Sequence, residues 1–333
     1  MMSENIKMAS SELSQLWVTY INSSMASCVL KHFQETTEDS DIQALVKSAF
    51  EFSEAMESRV KQHFLLEKLP IPYGFTNADV NLEAPKLFTD RFIIEYLKQM
   101  LGFGLATYSV SLAVCPRNDV RQTFNYAIEQ ITSQLNQIIE VLLKKGLYIR
   151  PPYIPYPKKA EYVHKESFFN ALFGDRRALN SIEITTLFYN TLTNSLGKAL
   201  ITGFLQVSQT QSIKVFMKRG KGIAAKHIEV FGSILRDDDI SSISTWESEV
   251  TDSTTSPFSE KLMLYHLLYL NGAGMASYGN ALATSNRRDL GVTYARLIAE
   301  IATYLDDGAE LMVRLGWFEM PPCAVDRNKL AGI

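Results

Sequence analysis

This chain of 333 residues has few cysteines, no long apolar run and no large excess of one charge. The three cysteines, Cys28, Cys115 and Cys323, are isolated and odd in number, which excludes a disulfide framework and a zinc motif of paired cysteines. No run of about 18 uninterrupted apolar residues occurs, so no membrane span is expected. Residues 1–11 are polar and lack the apolar core of a signal peptide. We therefore expect a cytoplasmic protein with reduced thiols.

The charges nearly balance, with 33 Lys and Arg against 36 Asp and Glu and a net charge of −3. Lys and Arg are scattered rather than arranged in a stripe, so no nucleic-acid surface is predicted. The chain also lacks a nucleophile arrangement, a cysteine cluster and a glycine-rich phosphate loop after a strand. These absences favour a protein without catalytic activity.

What the chain does contain is a long internal repeat. Phe258–Leu290 matches Phe88–Val120 without a gap, at an offset of 170 residues (258 − 88 = 170). Nearer the start of each copy the offset is 171, as for Ile213 over Ile42 (213 − 42 = 171). Two copies of a unit this long predict two domains of the same fold.

Each copy shows four amphipathic stretches in which apolar residues recur every three or four positions, as in α-helices. The predicted helices span 12–33, 42–64, 88–114 and 119–144 in the first copy, and 180–207, 213–234, 258–283 and 290–315 in the second. Pro70–Pro85 and Asp237–Pro257, between the second and third helix of each copy, have no helical period. About 15 extended residues reach about 50 Å, more than the length of a helix of about 38 Å, so either connection can run along a whole bundle. The pattern therefore predicts an all-α fold of two tandem ferritin-like four-helix bundles, each with a long helix 2–helix 3 crossover.

The predicted domains are a first bundle at 1–149, a proline-rich linker with a short helix at 150–179, and a second bundle at 180–333. Arg150–Pro157 is expected to be stiff polyproline II. Packing of its tyrosines against the bundles is the preferred interpretation, and binding of a groove-type partner is the alternative. The short apolar helix is predicted at Ser167–Phe173, buried between the bundles. Glycines 272, 274 and 279 are interpreted as points of close helix contact.

The two copies differ in the polar residues of their apolar stripes. The second copy has His227, His266, Glu300 and Asp307 where the first has Met56, Tyr96, Gln130 and Gln137. Counting along the helices from the turns places His227 level with Glu300, and His266 level with Asp307, in two pairs about 10 Å apart. Such ligands suit iron, zinc or manganese, so these four residues are the candidate metal ligands.

The simpler alternative is that each histidine is buried and hydrogen-bonded to a nearby acid, because a buried polar group needs a partner. A di-iron centre is disfavoured, since it requires Glu-x-x-His on two helices and no core helix carries that motif.

Several motifs are distinctive, namely those at Pro70–Thr76, Asp79–Pro85, Glu249–Thr254, Ser256–Met263 and Arg287–Leu290. Together they resemble a bacterial family of unknown function that is typical of endospore formers, and the resemblance covers nearly the whole chain. It implies tandem ferritin-like bundles, a distant relation to a class of spore coat proteins, and no assigned reaction. The family pattern also carries the histidines at 227 and 266.

We therefore expect a non-enzymatic structural or interaction protein, associated with spores, that contacts protein partners or self-associates. The alternative is a ferritin-like metal-binding protein with redox activity, using a mononuclear or degenerate site in the second bundle. Fold alone does not decide between them.

Overall fold

The computed structural model describes residues 6–170, 176–242 and 246–332. In this part of the chain the α-helices are α1 Ser10–Thr36, α2 Ser40–Leu66, α3 Asp90–Val114, α4 Asn118–Lys144, α5 Ser181–Val207, α6 Gln211–Arg236, α7 Glu260–Thr284, α8 Arg288–Arg314 and α9 Arg327–Leu330. The eight long helices begin and end within three residues of their predicted bounds. The predicted all-α fold of two tandem helical bundles is confirmed. None of the helices in the described ranges is long and apolar enough to cross a membrane.

The chain divides into two compact units that do not coincide with the two copies of the repeat. Unit 1 comprises Met1–Leu82, Leu97–Val141 and Leu315–Ile333, and unit 2 comprises Glu83–Tyr96 and Leu142–Arg314. The predicted domains follow the two copies of the repeat, whereas each compact unit combines most of one copy with a segment of the other. The end of the first connector and the first turns of α3 thus belong to unit 2.

In unit 1, α1 packs along α2. Trp17 and Phe64 meet edge to face at 6.2 Å in its core, beside the buried ring of Phe124. The start of α1 is stabilised by the buried carboxylate of Glu12, which accepts a hydrogen bond of 2.7 Å from the backbone N–H of Ala9. That interaction satisfies one of the free N–H groups at a helix N-terminus.

The first copy contributes an extended strip to unit 2. Phe88 forms an antiparallel bridge with Val250, and the N–H of Thr89 donates to the carbonyl of Glu249 at 3.0 Å. The N–H of Thr251 donates to the carbonyl preceding Phe88, also at 3.0 Å. Backbone hydrogen bonds therefore hold the end of the first connector against the second connector.

Phe88 anchors this strip in the core of unit 2. Its buried ring stacks on Phe92 at 4.4 Å and meets Phe204 at 6.2 Å. A Cβ at Gly203 would lie 2.6 Å from the same ring, so only glycine leaves room for it. The position of Phe88 thus depends on a small residue in α5.

In unit 2, α5 packs against α6 and α7 packs against α8. In addition, α5 contacts α7, and α6 contacts α8. At the contact of α6 with α8, the rings of Phe216 and Tyr304 stack at 4.2 Å with an interplanar angle of 8°. Gly220 faces Tyr304, and Gly308 faces Phe216. Each glycine therefore makes room for an aromatic ring of the other helix.

This arrangement corrects the interpretation of the α7 glycines. A Cβ built at Gly272, Gly274 or Gly279 meets nothing within 4 Å, so these residues are not points of close helix contact. Local spacing marks a stripe of small residues but does not say which part of it faces another helix. The close contact between α6 and α8 lies instead at Gly220 and Gly308.

We expect the substitution Gly308→Ala to lower the free energy of unfolding by about 1–3 kcal/mol, because the new methyl group overpacks the core. Its Cβ would lie 2.7 Å from the Phe216 ring. The matched control Gly272→Ala places a methyl group in open space. It should be neutral or stabilise by up to about 1 kcal/mol through helix propensity. Urea unfolding of both variants measures the difference, and equal effects would contradict it.

The linker differs from its prediction in two respects. Tyr153 and Tyr156 do not pack against a bundle, since their exposed fractions are 83% and 91%. Of the predicted apolar helix at Ser167–Phe173, the described residues belong to a 3-10 turn at Glu166–Phe169, with Phe169 exposed at 37%, and residues 171–173 of that prediction lie outside the described part of the chain. Tyr153, Tyr156 and Phe169 therefore lie at the surface rather than in a core.

Candidate functional site

The four predicted ligands lie on three helices of unit 2. His227 lies on α6 and His266 on α7, and both are completely buried. Glu300 and Asp307 lie on α8, with side chains 29% and 43% exposed. Two of the four residues are thus inside the bundle, and the two acids lie near its surface.

His227 uses both ring nitrogens within the protein. Its Nε2 lies 3.0 Å from Oε2 of Glu300, and its Nδ1 lies 3.0 Å from the hydroxyl of Tyr278. A neutral imidazole satisfies both contacts when Nε2–H donates to the carboxylate and Nδ1 accepts from the tyrosine. The Tyr278 hydroxyl in turn accepts a hydrogen bond of 2.6 Å from Nδ2 of Asn194.

The chain of hydrogen bonds ends at the surface on Lys226. Its Nζ lies 2.8 Å and 3.0 Å from the two carboxylate oxygens of Glu300. We call Lys226, Glu300, His227, Tyr278 and Asn194 the polar layer. Its members come from α6, α8, α7 and α5, so the layer connects all four long helices of the second copy.

The pKa shifts agree with this assignment of protons. Burial lowers the pKa of His227, and its hydrogen bond to Glu300 only partly offsets this shift. Burial alone would raise the pKa of Glu300, but its bonds with Lys226 and His227 outweigh burial and lower it. Burial raises the pKa of Tyr278. At neutral pH the layer therefore holds one ion pair at the surface and neutral groups inside.

The second predicted pair, His266 with Asp307, is not formed. Nε2 of His266 lies 3.0 Å from the hydroxyl of Tyr96, and Asp307 pairs with Arg219 at 2.5 Å. Tyr96 occupies the position equivalent to His266 in the first copy (266 − 96 = 170). The count along the helices from the turns assumed that α7 faces only the helices of its own copy. In the structure, the first turns of α3 also belong to unit 2.

The donor set therefore does not converge as a metal site would require. Within the residues described, no group of three or more His, Cys, Asp or Glu side chains is arranged to hold a metal ion. Structural metal sites need about four ligands, and catalytic ones about three with an open position. His227 and Glu300 alone supply two, and each is already engaged. Metal binding by the four residues stays a prediction.

Comparison with protein families decides the relationship of this chain. The sequence profile of the family called protein of unknown function DUF3231 matches residues 1–160 and again 167–330. The chain belongs to the DUF3231 family. The two matches correspond to the two copies of the internal repeat.

Comparison with curated proteins gives no match for this DUF3231 protein. Among solved structures, a candidate spore coat protein from Bacillus halodurans is similar at 17% identity. The similarity covers 45% of this chain and 98% of that protein, with a TM-score of 0.41.

The polar layer of the DUF3231 protein includes residues that the sequence comparison overlooked. Tyr278 is matched by Tyr108 in the first copy, so the difference between copies did not reveal it. Asn194 lies in the interior of a helix, where asparagine is disfavoured, and that placement was a usable signal. The first copy has the fully buried Met56 at the position of His227, so the fold of the repeat does not require the layer.

Proposed function

We propose that this DUF3231 protein is a non-enzymatic structural protein that acts by contacting other proteins. The observation that carries the proposal is the internal pairing of His227, whose two ring nitrogens both have side-chain partners. A general base, a nucleophile's partner or a metal ligand needs a ring nitrogen that faces the reacting group. The polar layer uses both nitrogens for contacts between helices instead.

A fully satisfied polar layer has a structural use. Buried polar networks fix the way helices pack, because an alternative register would leave polar groups without partners. Asn190 extends this pattern on α5, since its Oδ1 accepts a hydrogen bond of 2.8 Å from Ser277 on α7. These contacts support a rigid scaffold in which α5, α6, α7 and α8 keep one alignment.

The test is the metal content and oxygen chemistry of the full chain purified without added metal. We expect substoichiometric iron, zinc and manganese and no oxygen consumption in the presence of a reductant. The alternative function, a redox-active metal protein, predicts stoichiometric metal that is lost in His227→Ala and Glu300→Ala. Loss in His266→Ala and Asp307→Ala as well would favour the four-residue site over the His227–Glu300 pair. Stoichiometric metal together with metal-dependent oxygen consumption would refute the proposal.

Association with spores is part of the same proposal. The motifs shared with a family typical of endospore formers support it. Immunoblotting of purified spores and of vegetative cells from a sporulating culture tests it. Detection only in vegetative cells would refute the association with spores and leave the proposed structural role unaffected.

A further inference from the structure

The segment Arg150–Pro157, which we call the proline–tyrosine segment, lies between α4 and α5. Outside the 3-10 turn Glu166–Phe169, the structure has no helix or strand from residue 147 to residue 170. Tyr153 and Tyr156 expose 83% and 91% of their surface, and Ile154 exposes 42%. Large apolar side chains grouped at a surface mark interaction sites more often than isolated ones do.

The backbone of this segment is restricted by its prolines. Pro151, Pro152, Pro155 and Pro157 fix φ near the polyproline II value, and each also pushes the preceding residue toward an extended conformation. Polyproline II has three residues per turn. Residues 152 and 155 therefore share one edge of the segment, and the tyrosines at 153 and 156 share the next.

This geometry matches a known mode of peptide recognition. Segments of the form Pro-x-x-Pro bind shallow grooves lined by aromatic side chains, and little conformational entropy is lost because the extended form already exists before binding. Pro152 and Pro155 have that spacing. The tyrosines add rigid contact area beside the prolines.

The charges around the segment restrict the partner further. Arg150 begins the segment, and Lys158 and Lys159 follow it directly; the next acid is Glu161, which pairs with Lys159 at 2.7 Å. A groove that receives the segment is therefore expected to carry carboxylates at its rim, since complementary charge guides association.

The second copy shows that the bundle fold does not require these residues. At the equivalent positions, Cys323, Val325 and Asp326 replace Tyr153, Pro155 and Tyr156 at an offset of 170 (323 − 153 = 170). Asp326 there caps the short helix α9 by accepting from the N–H of Asn328 at 3.0 Å. The tyrosines and the added prolines are thus specific to the first copy.

We propose that the proline–tyrosine segment is a docking ligand for a partner protein with a shallow groove lined by aromatic side chains and edged by carboxylates. The proposal rests on the proposed role as an interaction protein and names the partner's chemistry. A second copy of this chain and a nucleic acid are outcomes of the test.

The test uses the full chain and two probe proteins of known groove chemistry, an isolated SH3 domain and an isolated WW domain, titrated by fluorescence anisotropy. We expect saturable binding to at least one probe and a loss of affinity of at least about tenfold in Tyr153→Ala/Tyr156→Ala. Tyr162→Ala is the matched control, because Tyr162 is 89% exposed in the same linker but lies outside the segment. It should bind as the wild type does.

Several outcomes would overturn the proposal. The first is absence of binding to both probes, and the second is an equal loss of affinity in the Tyr162→Ala control. The third is a change of oligomeric state in the double variant, measured by light scattering, which would indicate that a second copy of the chain binds the segment. Binding of a single-stranded oligonucleotide that depends on the same tyrosines would also overturn it. Because the substituted side chains are exposed, unchanged thermal unfolding verifies that the variants fold. Failure here leaves the non-enzymatic role standing, since metal and oxygen assays test that role separately.

Discussion

Replacing Glu183 with alanine is expected to lower the free energy of unfolding by about 3–5 kcal/mol, one of the largest effects of any single substitution in this protein. The Glu183 carboxylate is completely buried at the start of α5. Its two oxygens accept from both terminal nitrogens of Arg177 at 2.8 Å. They also accept from the backbone N–H groups of Asn180, Asn286 and Arg287 at 3.0, 3.1 and 3.0 Å.

The size of the effect follows from what the substitution leaves behind. Three backbone donors and one guanidinium would lose their acceptor at a site that water reaches poorly, and each unsatisfied buried donor costs about 1–3 kcal/mol. Urea unfolding followed by circular dichroism measures the change. Glu310→Ala is the control, because Glu310 pairs with Arg314 in a contact whose side chains are 63% and 62% exposed. That control should change stability by less than about 0.5 kcal/mol, and a similarly small effect of Glu183→Ala would refute the argument.

Acidification is expected to destabilise the protein through His266. Burial lowers the pKa of His266 from 6.5 to about 3. Its surroundings include the hydroxyl of Tyr96 and the ring of Phe204, and neither supplies a negative charge. The folded protein therefore holds the imidazole neutral, while the unfolded chain takes up a proton below pH 6.5.

The sign of the effect follows from linkage. Because the folded pKa is depressed, the stabilisation is fully present above pH 6.5 and is lost progressively as the pH falls toward about 3. At pH 4.5 the loss from this one group should reach about 2–3 kcal/mol. His227 contributes in the same direction, since burial lowers its pKa as well.

The measurement compares wild type with His266→Phe from pH 7.5 to 4.5. The variant is expected to be less stable at neutral pH, because the hydrogen bond between the Tyr96 hydroxyl and the imidazole is lost, but its stability should fall less steeply on acidification. Carboxylates titrate in both proteins, so the difference between the two slopes isolates His266. Parallel curves would show that protonation of His266 does not limit stability in acid.

The start of the second copy shows how far local sequence reasoning extends. Asn180 and Glu183 have the three-residue spacing of a capping box, and in the structure Asn180 Oδ1 accepts from the Glu183 N–H at 3.0 Å. Both partners lie within one helical turn, so their spacing alone brings them together. The partners of Glu183 from the α7–α8 turn, Asn286 and Arg287, are more than 100 residues away and were not predicted.

The two histidines show where the reasoning stops. The pairing of His227 with Glu300 is found as counted, because both residues lie on helices of one copy and the rise per residue is constant. The partner of His266 is Tyr96 of the first copy, a contact that depends on how the first turns of α3 pack in unit 2.

The sequence by itself determined the helices, the duplication and the cap at the start of α5, since these depend on periodicity and short-range contacts. Only the tertiary structure decided what each buried face meets. It placed Tyr96 against His266, room for Phe88 at Gly203, and the linker tyrosines at the surface. The physical reason is that helical periodicity specifies the direction of a side chain from its own axis, whereas its neighbour depends on packing between segments far apart in the chain.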